Sequence, residues 1–300
     1  MSGRTSPWAA VMGAGAWLPG VPDVRALMDG TRRDDADGPP ARLPVRLRRR
    51  ASLLIRMVAE VAAQASDQAG ISLGAMPIVV GSAYGELGTT MEMLQELSID
   101  RSVSPFRFHN SVHNTASGYL SIAHENRSPA TSLAAGWQTA AMALLEARTL
   151  LEDRGGDVLV VVADETLPAA LTSTVATPVS GALILRALPR DESETAMGTS
   201  EIDRALAWLA DLRQEPALDG AAAPAPVDRA RPADPGVDPG RAFLRLVSAA
   251  AAAGARPGLP PVRIDLTGGG DRPWSVAVGA GSPRAASRRA PQDTPTRRAP

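Results

Sequence analysis

The run Asp157-Val-Leu-Val-Val-Val-Ala163 limits what this chain can fold into more than any other stretch. It leaves no polar position for a solvent face, so it reads as a strand covered on both sides. Comparable runs occur at residues 8–18, 76–82, 130–135 and 179–186. Between them the spacing turns helical. Leu54, Met57, Val58, Val61 and Ala62 fall at i, i+3, i+4, i+7 and i+8, Met91 and Leu94 mark another helix, and Ala140, Ala141, Leu144, Leu145 and Leu151 a third. Gly155-Gly156 ends that third helix, as glycine commonly does. Strands alternating with helices, and buried on both sides, predict a layered α/β domain over residues 1–190.

Beyond residue 190 the pattern changes. Ile202, Ala205, Leu206 and Leu209 predict a helical extension over 191–213, with Ser200 as its N-cap. Residues 214–240, rich in Pro, Ala, Asp and Gly, read as a disordered linker. A helix at 241–253 and strands at 262–266 and 273–278 make a small appendage over 241–280. The Arg-rich tail over 281–300 is expected to be disordered.

The 300 residues contain no cysteine, which excludes disulfides, thiolate catalysis and thiolate-ligated metal. All 31 basic residues are arginine, and the net charge of −1 gives no overall field toward nucleic acid or an anionic membrane. No stretch has the apolar length of a membrane span and no leader is visible, so a cytoplasmic protein is expected.

Few residues could carry chemistry. Gly13-x-Gly15 invites a dinucleotide fingerprint, but Leu18 stands where glycine is required, so it reads as a tight turn. His109, His113 and His124 are the only histidines. The spacing of His109 and His113 would suit a metal pair on a helix, but Asn110 stands where the zincin pattern needs glutamate. Ser111, Ser117 or Ser121 could meet a histidine in space. Asp164-Glu165 follows the fourth strand and reads as a cap or loop anchor. The junction from strand 130–135 into the next helix is a place where α/β enzymes hold a nucleophile, yet it carries Gly136. The small residues from Asn114 to Ala123 suggest close packing. Neither cofactor nor metal is expected.

In order along the chain stand Gly13-Ala-Gly15, Arg48-Arg-Arg50-Ala-Ser52, Ile78-Val-Val-Gly-Ser, Ser104-Pro-Phe, Ser111-Val-His-Asn-Thr-Ala-Ser-Gly-Tyr119 and Ser128-Pro-Ala-Thr-Ser-Leu-Ala-Ala-Gly136. In these the chain resembles the N-terminal half of β-ketoacyl synthases of the thiolase-like superfamily, and in particular the short family with chain-length-factor partners of aryl polyene-type pathways. The implied fold class is α/β. It is a layered thiolase-like half, a mixed and mostly parallel sheet between helices, with a short α+β C-terminal appendage.

In active synthases the position matching Gly136 is the acyl-accepting cysteine, and the two catalytic histidines lie in a C-terminal half. Here glycine replaces the first and no histidine follows His124. The resemblance also implies a dimer in which the nucleophile strand pairs across a twofold. Carried over by position, Thr131, Ser132, Leu133, Ala134 and Ala135 form the pairing strand, with Trp137 beyond it. Ser111, Val112, His113, Asn114 and Tyr119 become tunnel-facing residues. The leading expectation is a catalytically silent subunit that pairs with an active β-ketoacyl synthase in type II polyketide, aryl polyene or fatty-acid-like biosynthesis, with acyl carrier protein as a transient partner. Two alternatives stay open. One is an acyl-thioester hydrolase or transferase using a Ser/His site near His113. The other is a non-catalytic homodimer that binds carrier protein through the arginines of residues 46–50.

Overall fold

The computed structural model describes residues 7–33, 38–40, 42–168, 171, 177–188, 204–215, 239–256, 260–267 and 273–280. The expected tail, almost all of the expected linker and residues 191–203 lie outside them.

Among the described residues, eight strands form one mixed sheet. They are β1 (Pro7–Trp17), β2 (Ile78–Gly81), β3 (Ala130–Leu133), β4 (Asp157–Asp164), β5 (Val179–Ala187), β6 (Ala207–Gln214), β7 (Val262–Asp265) and β8 (Trp274–Ala280). Their order is β3-β2-β4-β5-β1-β6-β8-β7. Strands β1 to β4 run in one direction and β5 against them. The α/β class holds, but the sheet's pairings are less parallel than expected. Only β2–β3 and β2–β4 pair in parallel, because β5 lies reversed between β4 and β1 and the C-terminal strands add antiparallel.

The helices are α1 (Val24–Asp29), α2 (Val45–Arg48), α3 (Leu53–Ala69), α4 (Leu87–Asp100), α5 (Pro105–Asn110), α6 (Thr115–Ala123), α7 (Thr139–Arg154) and α8 (Pro239–Ala255). The period-two alternation of β4 divides the core between them. Val158, Val160 and Val162 face α7 and α8, while Leu159, Val161 and Ala163 face α3 and α6. Each of these six side chains is fully buried. The opening run is therefore a central strand with helices on both faces.

Gly13 and Gly15 are not in a turn. They lie inside β1, where α3 crosses so closely that a Cβ on either would sit 2.1 Å from the carbonyl oxygen of Ala65 or Val61. The Gln68 and Gln64 side chains then accept from Ala14 N–H at 2.7 Å and Ala16 N–H at 3.0 Å. The glycine pair serves helix–strand packing.

The C-terminal segments correct two expectations. The helix expected to end at 213 is strand β6 over Ala207–Gln214, antiparallel to β1. A short apolar run such as Ala-Trp-Leu-Ala-Asp-Leu satisfies either period, and the open edge of β1 decides in favour of the strand. The 241–280 region, expected as an appendage, joins the main sheet through β7 and β8. Its helix α8 packs Phe243 and Val247 within 3.1 Å of where a Cβ on Gly181 of β5 would stand.

Candidate functional site

The junction after β3 has the shape of a nucleophile elbow. Gly136 takes a φ of +53°, a left-handed value that suits glycine, and a 3-10 turn over Gly136–Gln138 feeds α7. Buried Thr139 fixes the bend. Its hydroxyl accepts from Ala135 N–H at 3.1 Å and donates to Gly136 O at 2.7 Å. A Cβ at Gly136 would meet nothing within 4 Å. Room for a side chain exists, but none is present. Trp137 is partly exposed at the same corner.

Strand β3 leads to this elbow along the margin of the sheet. Thr131, Ser132 and Leu133 pair with Val79, Val80 and Gly81 of β2, and β3 has no second neighbour among the described residues. Thr131 donates to Glu146 of α7 at 3.1 Å, while Ser132 shares a hydrogen bond with Ser117 of α6 at 2.8 Å. Thr131 to Leu133 and Ala135 are half-buried and Ala134 is exposed. The sequence-predicted pairing strand is thus an edge with unused backbone hydrogen-bonding groups.

The other expected site residues divide. His113 reaches the end of β2, with Nε2 3.1 Å from Ser82 O, and Ser82 N–H donates to Leu133 O at 3.0 Å. Gly85, at φ +57°, makes room for that imidazole, since a Cβ there would stand 2.9 Å from it. Ser111 closes α5 by donating to Phe108 O at 2.9 Å, Val112 is exposed, and the carbonyl of exposed Asn114 accepts from Ser117. Tyr119 is buried at 5 % exposure, its hydroxyl within 3.4 Å of Arg50 O and Asn110 Oδ1. It packs in the core beside α3 and lines no open surface. Within the described residues, then, the structure gathers His113 and β3 around the ends of β2 and β3, while Tyr119 lies inside.

No Ser–His relay forms among the described hydrogen bonds. Ser111, Ser117 and Ser121 each donate to a backbone carbonyl, and Ser82 donates to Asp164 Oδ1 at 2.8 Å. Nor do His109 and His113 share a helix, since α5 ends at Asn110. Burial lowers the pKa of His124, at the C-terminus of α6. Asp164 anchors the β2–α4 loop, its Oδ1 also accepting from Ala83 N–H at 2.8 Å and Tyr84 N–H at 3.3 Å. Glu165 caps α3 by accepting Leu54 N–H at 2.6 Å.

Two features carried no mark in the reading of the sequence. The first is Glu86, a buried carboxyl group just ahead of α4. The second is an apolar face. The fourteen-residue helix α4 buries none of its residues; Leu94 and Leu97, three apart and so on one side of it, stand 51 % and 45 % exposed, and the neighbouring α5 exposes Phe106 and Phe108. An amphipathic helix gains most of its stability from burying one face. Among the described residues, nothing buries that face. Arg50 stacks over Phe106 at 5.3 Å, bringing the exposed arginines of α2 next to the patch.

No curated protein sequence matches the chain. Among solved structures, a chain of the ketosynthase ApeO in complex with its chain length factor ApeC from Xenorhabdus doucetiae is similar with a TM-score of 0.61 at 20 % identity, over 90 % of this chain and 99 % of that one. The ishigamide ketosynthase/chain length factor is similar with a TM-score of 0.56 at 18 % identity, over 71 % and 68 %. The type II acyl-carrier protein–ketosynthase complex AntDE:AntF gives 0.67 at 11 % identity, over 92 % and 99 %. At such identities these likenesses bear on the fold, which is that of thiolase-like ketosynthases. The sequence profile of the β-ketoacyl synthase N-terminal domain matches residues 27–217, so the chain belongs to the β-ketoacyl synthase N-terminal domain family.

Proposed function

We propose that this protein is a catalytically silent, chain-length-factor-type subunit. It pairs with an active β-ketoacyl synthase in a type II polyketide, aryl polyene or related acyl-chain pathway and helps shape the partner's acyl pocket. The observation that carries this reading is the elbow at Gly136, formed in backbone, open in space and lacking a nucleophile. Acyl transfer needs an attacking atom at this position, and glycine supplies none. What remains usable at the site is surface. The free edge of β3 can pair with another strand, and the apolar face of α4 and α5 can be covered by a partner. Solved structures of similar fold include a ketosynthase in complex with its chain length factor, which supports the pairing.

Contact with acyl carrier protein belongs to the same proposal. Arg46, Arg48 and Arg49 are exposed and offer a basic face to an acidic partner. The hydrolase alternative loses its support because the candidate serines spend their hydroxyls on backbone carbonyls. Co-expression with a ketosynthase encoded beside this chain, followed by size-exclusion chromatography, tests the proposal. Co-elution is expected; a monomer with no co-elution would overturn it.

A further inference from the structure

Helix α4 lacks the devices that keep helix α3 folded. α3 buries ten of its seventeen residues, its N-cap Ser52 accepts from Ile55 N–H at 3.1 Å, and Gly70 takes the left-handed position at its end. α4 buries none of its fourteen residues, and its N-cap Glu86 makes no side-chain capping bond. Asp100 stands in its last turn with no basic residue there, against the helix dipole. Beyond it Arg101, not glycine, holds the left-handed conformation, at φ +52°. Gly88, Thr89, Thr90 and Ser98 add residues of poor helix propensity.

A helix of this length is marginal in water unless one face is packed. Two kinds of restraint are present. Glu86, only 2 % exposed, accepts from Ser52 Oγ at 2.6 Å and from Thr89 Oγ1 at 3.1 Å, and its carbonyl accepts from Thr90 Oγ1 at 2.9 Å. The first turn of α4 is thereby tied to the start of α3. Further along, Glu92 and Glu96 carry like charges four residues apart, and Arg107 of α5 lies 3.0 Å from each. These ion pairs are solvent-exposed and weak, and α5 itself buries only Asn110. The start of α4 is anchored, and the rest is held loosely.

We propose that α4 is a fold-on-binding element. In the isolated chain its first turn is formed and residues 91–100 exchange between helix and open chain. A ketosynthase partner completes the helix by covering the side that carries Leu94 and Leu97. The inference rests on the pairing proposed above and adds a cost to it, since ordering residues 91–100 offsets part of the gain from burying the two leucines. Glu86 limits that cost by fixing the turn from which the helix grows.

Hydrogen exchange at amides 94–100 tests this on the full chain, alone and co-purified with the ketosynthase encoded beside it. In the chain alone, their protection is expected to lie at least about a hundredfold below that of amides 57–65 in α3. In the complex it should rise at least about tenfold. Protection equal to that of α3 in the chain alone, or no rise in a complex that co-elutes, overturns the inference and leaves the pairing standing. Failure to co-elute overturns the pairing and this inference with it, so the elution profile tells the two failures apart.

Discussion

At Gly136 the backbone holds a left-handed bend with open space over it, so a side chain is opposed there by conformation and not by crowding. Gly136→Cys should therefore fold, at a cost of about 1–2 kcal/mol for forcing an L-residue into that region. Its thiol, the only one in the chain, should be alkylated readily by iodoacetamide in the native state. A protected thiol, seen by mass spectrometry, would show the corner to be closed and the elbow account wrong. The bend could be read from the sequence because a strand, a glycine and a helix are adjacent in the chain. The cap that Glu165 places on α3 could not, because Glu165 meets Leu54 across 111 positions and no local pattern encodes that contact.

Helix α3 and strand β1 act as one packed unit, and the two glycines of β1 set how close they come. Gly15→Ala would drive a methyl group into the Val61 carbonyl, 2.1 Å away, and relief requires the helix to move. The expected loss is about 3 kcal/mol, measurable as a lowered denaturant midpoint. An unchanged midpoint would mean that α3 is less closely seated. The central elements were legible for different reasons. Val158 to Ala163 is mostly β-branched, which favours a strand, and Leu54 to Ala62 follow the helical period. Residues 207–214 were not, because Leu206 and Leu209 fit helical spacing while pairing with β1 makes the segment a strand. Met91 and Leu94 mark a helix correctly, but the spacing does not say what covers it, and within this chain Leu94 stays exposed.

For the whole molecule, one sheet runs from β3, which has no second neighbour among the described residues, through β1 to β7. The resemblance drawn from the sequence had already assigned residues 131–135 to a pairing strand, and the structure adds the α4–α5 face, which no residue pattern had marked as open. Under the proposed pairing that face belongs to the interface. A charge placed on it should then act on assembly and leave the fold intact. The most direct measurement is light scattering on the chain co-purified with its neighbouring ketosynthase, for wild type and for Leu97→Asp combined with Phe108→Asp. The account predicts one copy of each protein in the wild-type complex, and a doubly substituted chain that is folded by circular dichroism yet at least about tenfold weaker in pairing. A wild-type chain that remains a monomer beside the ketosynthase would contradict it.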